Sequence, residues 1–571
     1  MAGFASKTFI GATPRLSPRM LNVSSAQECV NTELVNGGLR PTRAKIKGVE
    51  SWAVGTTPRT ITAYTDPSTG AFEGWLWKDF ETDFVIRPLP NDTHERVYFL
   101  DNSSPSKLRI TDDSQISVTT GLVTIANDYL AGVSSPASAP TASTTTTGSA
   151  ASKVDVTYVI TFVDFWGAEG PPSPVATTLT NVPSDSSNTI GINNTPVTDE
   201  RIVSWRVYRS VSGTTLTNFQ FVATVAVATT TYVDSLAAVP EEVVPSTNWY
   251  PAPTGLESVV WAGNGVLCGF KGNTIYFSET FLPHAWPPTY TVSINADIVG
   301  LAATGTHVFV LTNSNPYIIA GALPSAPSVQ RLDTEEACIN KNSIVTIGGT
   351  CFYASPNGVM AIGAGNVNLI SQDVLTRQQW ELFSPTTAKF NHYNDTLLIS
   401  YDATGLPAGA GAISNDLELL RPTTGMIQFN KDGWLTIHED FSPHVGIRTD
   451  TERVFIAVLN SSTNQYELWE WNPTLINGGV NQDFRWRSKE FATPRPMMFA
   501  AASVDAATYP VNFKLFMDGN LALFKSVTDD HAFRLPAGRA KYWSYEVSGK
   551  YQIYQAMFAE SVRDLAMDLT Q

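Results

Sequence analysis

The chain has 571 residues, enough for several domains or one large repeat architecture around a sizeable core. Its 43% hydrophobic and 11% aromatic content excludes a disordered chain, and with 16% charged residues the polar surface must come largely from Thr, Ser, Asn and Gly, a composition that suits strands and turns. The net charge of −15 divides into +5 over residues 1–60, −21 over 61–480 and +1 over 481–571, so the middle is the reverse of the basic stripe that grips nucleic acid.

Residues 1–50 are basic and turn-rich, with Pro14, Arg15, Pro18, Arg19, Gly37, Gly38, Arg40 and Pro41. Only Gln27 to Leu34 reads as a short helix, and the segment is expected to lie extended against a larger body, as a docking arm. From Ser51 a pattern recurs: a short β-branched or aromatic run, an Asn/Ser/Gly turn, a second short run. It appears at 96–111, 273–286, 307–321, 350–365, 395–402 and 453–472, and from residue 273 onward the starts are 34 to 58 residues apart. A four-stranded propeller blade takes about 40–50 residues. The sequence therefore predicts an all-β chain with a β-propeller core over 51–133 and 246–480, each hairpin being the inner part of a blade; a set of β-sandwiches is the alternative.

The blades are interrupted. Residues 134–152, SSPASAPTASTTTTGSAAS, contain no large apolar side chain and read as a linker. Residues 153–245 then resemble a fibronectin type III-like β-sandwich. Tyr158 to Val163 forms its central strand, AEGPPSP its turn, WRVYRSVSG its facing strand, and Val203, Trp205 and Val207 the inward positions. This insertion is expected as a decoration on the outside of the propeller. Residues 481–571 keep strand character, with Asp518-Gly519-Asn520 as a hairpin turn, and read as a separate C-terminal β-module.

Cys29, Cys268, Cys338 and Cys351 form no CxxC pair and read as buried free thiols. The first twenty residues lack the apolar core of a signal peptide, and no run reaches the ~18 apolar residues of a membrane span, so synthesis and assembly in a cytoplasm are expected. His438 and His444 are six apart with Pro443 between them, which no zinc-binding helix could align. GAGAIS (409–414) and IGAGNVN (362–368) lack the strand–helix frame of a phosphate loop and read as hairpin turns. FNKDGWLTIHED (429–440) shares Asp432, Gly433 and Trp434 with the Asp-box of sialidase-type propellers but not its spacing, and that motif is itself a hairpin turn.

The segment IYFSETFLPHAWPPTY (275–290) poses the sharpest choice. His284 could be a base oriented by Glu279. Alternatively, Pro283, Pro287 and Pro288 force the chain out of the sheet while Phe281, Leu282 and Trp286 cover a blade edge. The packed corner is the better reading, and no catalytic, cofactor-binding or metal residue is assigned; the chain is expected not to be an enzyme.

That segment, followed by Asp297-Ile298-Val299-Gly300-Leu301, resembles the central propeller motif of the phage tail nozzle (tail tubular protein B-like) family of short-tailed bacteriophages. FIGATPRLSPRMLNVSSAQECVNTELVNGGLRP (9–41) is similar to the family's N-terminal segment. SKEFATPRPMMF (488–499), YPVNFKLFMDG (509–519) and FRLPAGRAKYWSYEVSG (533–549) are similar to its closing module. The motifs occur in order along most of the chain, except in the sandwich. The resemblance implies a structural virion protein without cofactor. It would be a homo-oligomer, usually a hexamer, that extends the tail tube below an adaptor ring, holds fibres or other tail proteins outside, and lets DNA pass through its lumen during ejection. Acidic side chains are then expected along part of the channel. The alternatives are an adhesin or glycan-binding propeller at the host surface and, less favoured, a propeller glycan hydrolase.

Overall fold

The computed structural model describes residues 3–35, 37–47, 53–66, 68–119, 121–145, 149–191, 199–211, 218–236, 242–305, 307–321, 324–363, 365–393, 396–406, 422–430, 432–440, 445–448, 453–474 and 479–568. Among them nearly every element is a strand; the helices are short, at Arg377–Glu381 and Val562–Asp568, with two single 3-10 turns.

Among the described residues seven blades of four strands make the propeller; six are separate sheets, and the sixth in chain order is continuous with a ten-stranded sheet. First strands of adjoining blades lie side by side, and the first two blades meet where the Thr60 hydroxyl donates to the Phe80 and Thr82 carbonyls. In chain order these first strands are Thr60–Thr65, Phe84–Ile86, Ser258–Trp261, Ile298–Thr304, Val345–Ile347, Lys389–Tyr393 and Val445–Arg448. The last lies beside the first, so the ring closes. Closure is also covalent in order: blade seven takes its outermost strand, Ala53–Val54, from before blade one, pairing Val54 with Tyr466. Each blade thereby loses an exposed edge or buries one face on its neighbour, the usual remedy for strands that cannot stand alone.

Four of the recurring stretches (96–111, 307–321, 350–365 and 453–472) are the second and third strands of their blades, as in Val97–Leu100 with Leu108–Thr111 or His307–Thr312 with Tyr317–Ala320; 273–286 is a third strand and the corner after it, and 395–402 a second strand. They are the middle of a blade and not its inner part, because another strand precedes them at the axis. These axial strands are weak sequence signals: Phe84–Ile86 and Val345–Ile347 have three residues each. Blade one is interleaved with blade two. Its outer hairpin, Ile116–Thr119 with Leu122–Ile125, comes after three strands of blade two, and Leu122–Ile125 pairs in parallel with Phe72–Lys78.

The insertion, between Tyr129–Leu130 of blade two and Ser258–Trp261 of blade three, is a two-sheet sandwich. Thr141–Thr145, Ser187–Gly191 and Thr231–Asp234 form one sheet; Leu179–Pro183, Lys153–Asp164, Ile202–Val211 and Phe219–Ala226 form the other. Tyr158, Ile160, Trp205 and Val207 fill the space between them. Three sequence expectations change here. The Thr-rich linker supplies a strand, since β-branched residues pair well at a sheet edge. WRVYRSV does not face the central strand but pairs with it in one sheet, Trp205 opposite Phe162. Val203 is 44% exposed and lies outside the inward set, which begins at Trp205.

The N-terminal segment is no free arm. Where a helix was expected at Gln27 to Leu34, the chain forms two strands, Ala26–Val30 and Thr32–Val35. The first pairs with Phe484–Ser488 on one side and meets the outermost strand of blade six through Val30 and Ile437 on the other. Thr32–Val35 and Gly38–Pro41 form a hairpin that joins Ile553–Ala559, which also pairs with Gly3–Ser6. Local propensity gave way to tertiary pairing, since Cys29 and Val30 pair with Trp486 and Arg485, and Leu39 with Ile553, in strands far along the chain. The C-terminal module is thus built from both ends of the chain, and one core runs from Phe9 and Leu39 through Trp380 of the short helix to Trp543 and Phe558.

Candidate functional site

The 275–290 segment leaves blade three after Thr274–Phe277 and returns at Thr291–Ser293. Glu279 spends its carboxylate locally: one oxygen accepts from the Tyr290 hydroxyl at 2.9 Å and the other from the Thr280 backbone at 2.9 Å. His284 is 6% exposed and stands edge-on to Trp249, ring centres 6.3 Å apart. Burial, helped by the nearby Arg96 charge, pushes its pKa down to about 3, so the ring is neutral. No hydrogen bond joins Glu279 to His284 among the described residues, and the pair is not assembled for proton transfer. Trp286 is buried, its indole nitrogen donating to the Pro283 carbonyl at 3.1 Å, and it packs between blades two and three. Phe281 behaves otherwise. It is 52% exposed and holds a φ of +59°, in the left-handed region that costs a bulky side chain free energy.

His438 is equally a core residue. It stands edge-on to Trp471 at 5.0 Å, and burial lowers its pKa to about 4. His444 lies outside the described residues, as does GAGAIS (409–414). IGAGNVN is the turn between Gly358–Ile362 and Val367–Leu369, with Gly363 donating to the Asn366 carbonyl at 2.8 Å. The Asp-box-like stretch is also a turn: Gly433 has φ +82°, and the Asn430 side chain accepts from the Asp432 backbone. All four thiols are buried and free; burial raises Cys29 to about 11 and Cys338 to about 12, far from reactive thiolates.

A polar knot that sequence reasoning missed ties blades together at the starts of their axial strands. Asp83 of blade two accepts from the Ser258 hydroxyl (2.6 Å) and the Val259 backbone (3.1 Å) of blade three, and from the Lys341 ammonium (3.0 Å) of blade five. Lys341 also donates to the Glu257 carbonyl at 2.9 Å, and Asn342 to Glu81 at 3.0 Å. Lys389, which opens blade six, is brought down to about pKa 8 by burial, against the pull of Glu81. The Asp83–Lys341 bond joins blade two to blade five. These residues come from four places in the chain, and no local motif marks them.

The sandwich is fixed to the propeller at a polar seam. Arg201, 3% exposed at its side chain, bonds Asp199 at 2.6 Å and donates to the Leu130 and Gly132 carbonyls at the end of blade two. The Trp166 indole donates to Asp112 at 2.7 Å, and the Trp286 backbone to the Tyr250 carbonyl. Asp164 lies under this turn and accepts from the Trp166 and Ala168 backbone at 3.0 and 2.8 Å. Burial nevertheless raises its pKa to about 6. A carboxyl whose folded pKa is raised contributes stability that is full below its unfolded value and is lost as pH rises through about 6. Asp164→Asn keeps the accepting oxygen without the charge. It is expected to melt higher than the parent at pH 8, by the equivalent of about 2–3 kcal/mol, and close to the parent at pH 4, where the carboxyl is protonated. Equal gains at both pH values, read by calorimetry, would refute the assignment.

No family model and no curated protein matches the chain. Solved structures with some likeness include Hsv2 of Kluyvelomyces marxianus, 8% identical with a TM-score of 0.23 over 62% of this chain and 95% of that one. A Bacteroides thetaiotaomicron protein of unknown function is 10% identical with a TM-score of 0.23, covering 69% and 90% of the two chains. The AfRom2 CNH domain is 7% identical with a TM-score of 0.22, covering 60% and 90%. Likeness this slight adds nothing to the strand pairing, which by itself defines the class: an all-β protein with a propeller core, an inserted β-sandwich and a terminal β-module. No helix among the described residues is long and apolar enough to cross a membrane.

Proposed function

We propose that this chain is a structural component of a short-tailed phage virion, a tail nozzle that assembles as a ring, most simply a hexamer, and passes DNA through the lumen between its copies. One observation carries the reading. Segments at the two chain ends that resemble the nozzle family belong to one module: Ala26–Val30 pairs with Phe484–Ser488, which in turn pairs with Ala540–Gly549 in the same sheet. A shared module explains why motifs at opposite chain ends go together. Any docking by the basic N-terminus onto an adaptor ring is then performed by a folded module and not by a loose arm.

Negative-stain images of the chain, alone and co-expressed with neighbouring tail proteins, test this reading. Rings with an axial hole in either sample support it. Dispersed particles in both, together with binding to host envelope by the monomer, would favour an adhesin instead; depolymerisation of host polysaccharide would favour a glycan hydrolase.

A further inference from the structure

Three segments distant in sequence meet at an open cavity of about 340 Å³ beside the seam between sandwich and propeller. They are the 89–96 loop of blade two, Trp166 at the tip of the sandwich turn, and Phe281 of blade three. Loop and rim are held in strained backbone: Asn91 and Glu95 have φ +58° and +53°, as Phe281 has +59°. Strain of this kind persists where the surroundings impose it, often at binding sites. Trp166 belongs to an aromatic cluster, with Phe165 at 4.3 Å and Tyr129 at 5.8 Å, while Phe281 stays half exposed.

Three polar side chains lining the cavity are left with hydrogen-bonding capacity. Arg96 is anchored through Nε to Asp92 at 2.7 Å, and its terminal nitrogens meet no acceptor among the described residues. The His94 ring and the Asn91 amide likewise have no side-chain partner there, although both line the cavity. A ligand filling this space would meet aromatic surface on one side and a mixed set of donors and acceptors on the other.

That lining selects a chemistry. A bare cation has no free carboxylate here, since Asp92 is taken by Arg96 and Asp112 by Trp166. A strongly anionic group would meet the Asp92 carboxylate, while the guanidinium of the lining, Arg96, is already paired with it. An aliphatic ligand would bury the polar groups of Asn91, His94 and Arg96 without partners. A neutral ring with hydroxyls around its edge and C–H groups on its face satisfies every constraint, and the volume lies within the about 300–1,000 Å³ of small-ligand clefts. We propose that this cavity is a subsite for a neutral saccharide, one or two pyranose rings in size, stacked on Phe281 and hydrogen-bonded by Asn91, His94 and Arg96. The site does not depend on ring assembly and would serve a tail protein or an adhesin alike.

The test uses the full chain with methyl α-glucoside, methyl α-mannoside, methyl β-galactoside and N-acetylglucosamine, each titrated by saturation-transfer NMR, with sodium glucuronate as the charged control. At least one neutral sugar is expected to bind in the millimolar range. His94→Ala, whose ring makes no protein hydrogen bond, and Phe281→Asn, which tolerates the left-handed backbone, should each weaken it at least tenfold. Trp261→Ala, an exposed aromatic elsewhere on blade three, should leave it unchanged. No neutral sugar binding at 50 mM (the working ceiling), binding that survives both cavity variants, or tighter binding of glucuronate would overturn the proposal.

Discussion

Removing residues 1–45 is expected to unfold the C-terminal module, not merely to trim a docking arm. The deletion takes away Gly3–Ser6, Ala26–Val30 and the Thr32–Pro41 hairpin region, and with them one of the two partners of Phe484–Ser488 and one side of Ile553–Ala559. Phe4 stacks on Phe491 at 4.4 Å, and the Trp486 indole loses the Ile10 carbonyl it donates to at 3.0 Å. Buried Phe9, Cys29 and Leu39 leave a core they share with Trp486 and Phe558. Each large apolar side chain removed from such a core costs about 1.5–3 kcal/mol, and several together exceed the reserve of about 5–15 kcal/mol that a domain holds. Limited proteolysis should digest residues 481–568 early in the truncated protein while the 60–400 blades resist. A protected C-terminal module with unchanged melting would show that the N-terminal strands are dispensable.

The second large effect concerns the sandwich. Arg209 and Asp234 pair at 2.7 Å with side chains 5% and 4% exposed, and Asp234 also accepts from the Tyr158 hydroxyl at 2.9 Å. A pair this deep gains little over an apolar substitute, because both ions gave up hydration to form it. Breaking it is another matter: Asp234→Ala leaves a guanidinium in the core with its principal counter-ion gone. A loss of about 3–5 kcal/mol in sandwich stability is expected, read as an earlier denaturant transition of Trp205 fluorescence. Replacing both partners by Leu and Met should recover most of that loss. A single variant within about 1 kcal/mol of the parent would mean that water reaches the site.

The propeller was legible because its middle hairpins carry strong alternation and Asn/Gly turns, as at His307–Ala320 and Thr350–Ile362. Several axial strands were not, those at Phe84–Ile86, Ser258–Trp261 and Val345–Ile347 being three or four residues long and held by neighbours from other blades. The N-terminal strands were missed for a related reason. AQECVNTELV has respectable helix formers, and only its partners at Arg485 to Ser488 and Ile437 make it extended. The corner at 275–290 was read as packing, and His284, Ala285 and Trp286 are indeed packed. Its outlier is Phe281, whose strained, exposed placement leaves no trace in composition. The polar knot of Asp83, Ser258 and Lys341 spans more than 250 residues of sequence, so nothing local could have shown it.

The central claim is that copies of this chain form a ring around a DNA passage. A reconstruction of the tail of the particle that carries it tests that most directly. The account predicts a ring of copies in line with the tail tube, with the space between propellers as the lumen and carboxylates along part of the wall. Density for this chain only on peripheral fibres, or a ring whose lumen is uniformly basic, would contradict it.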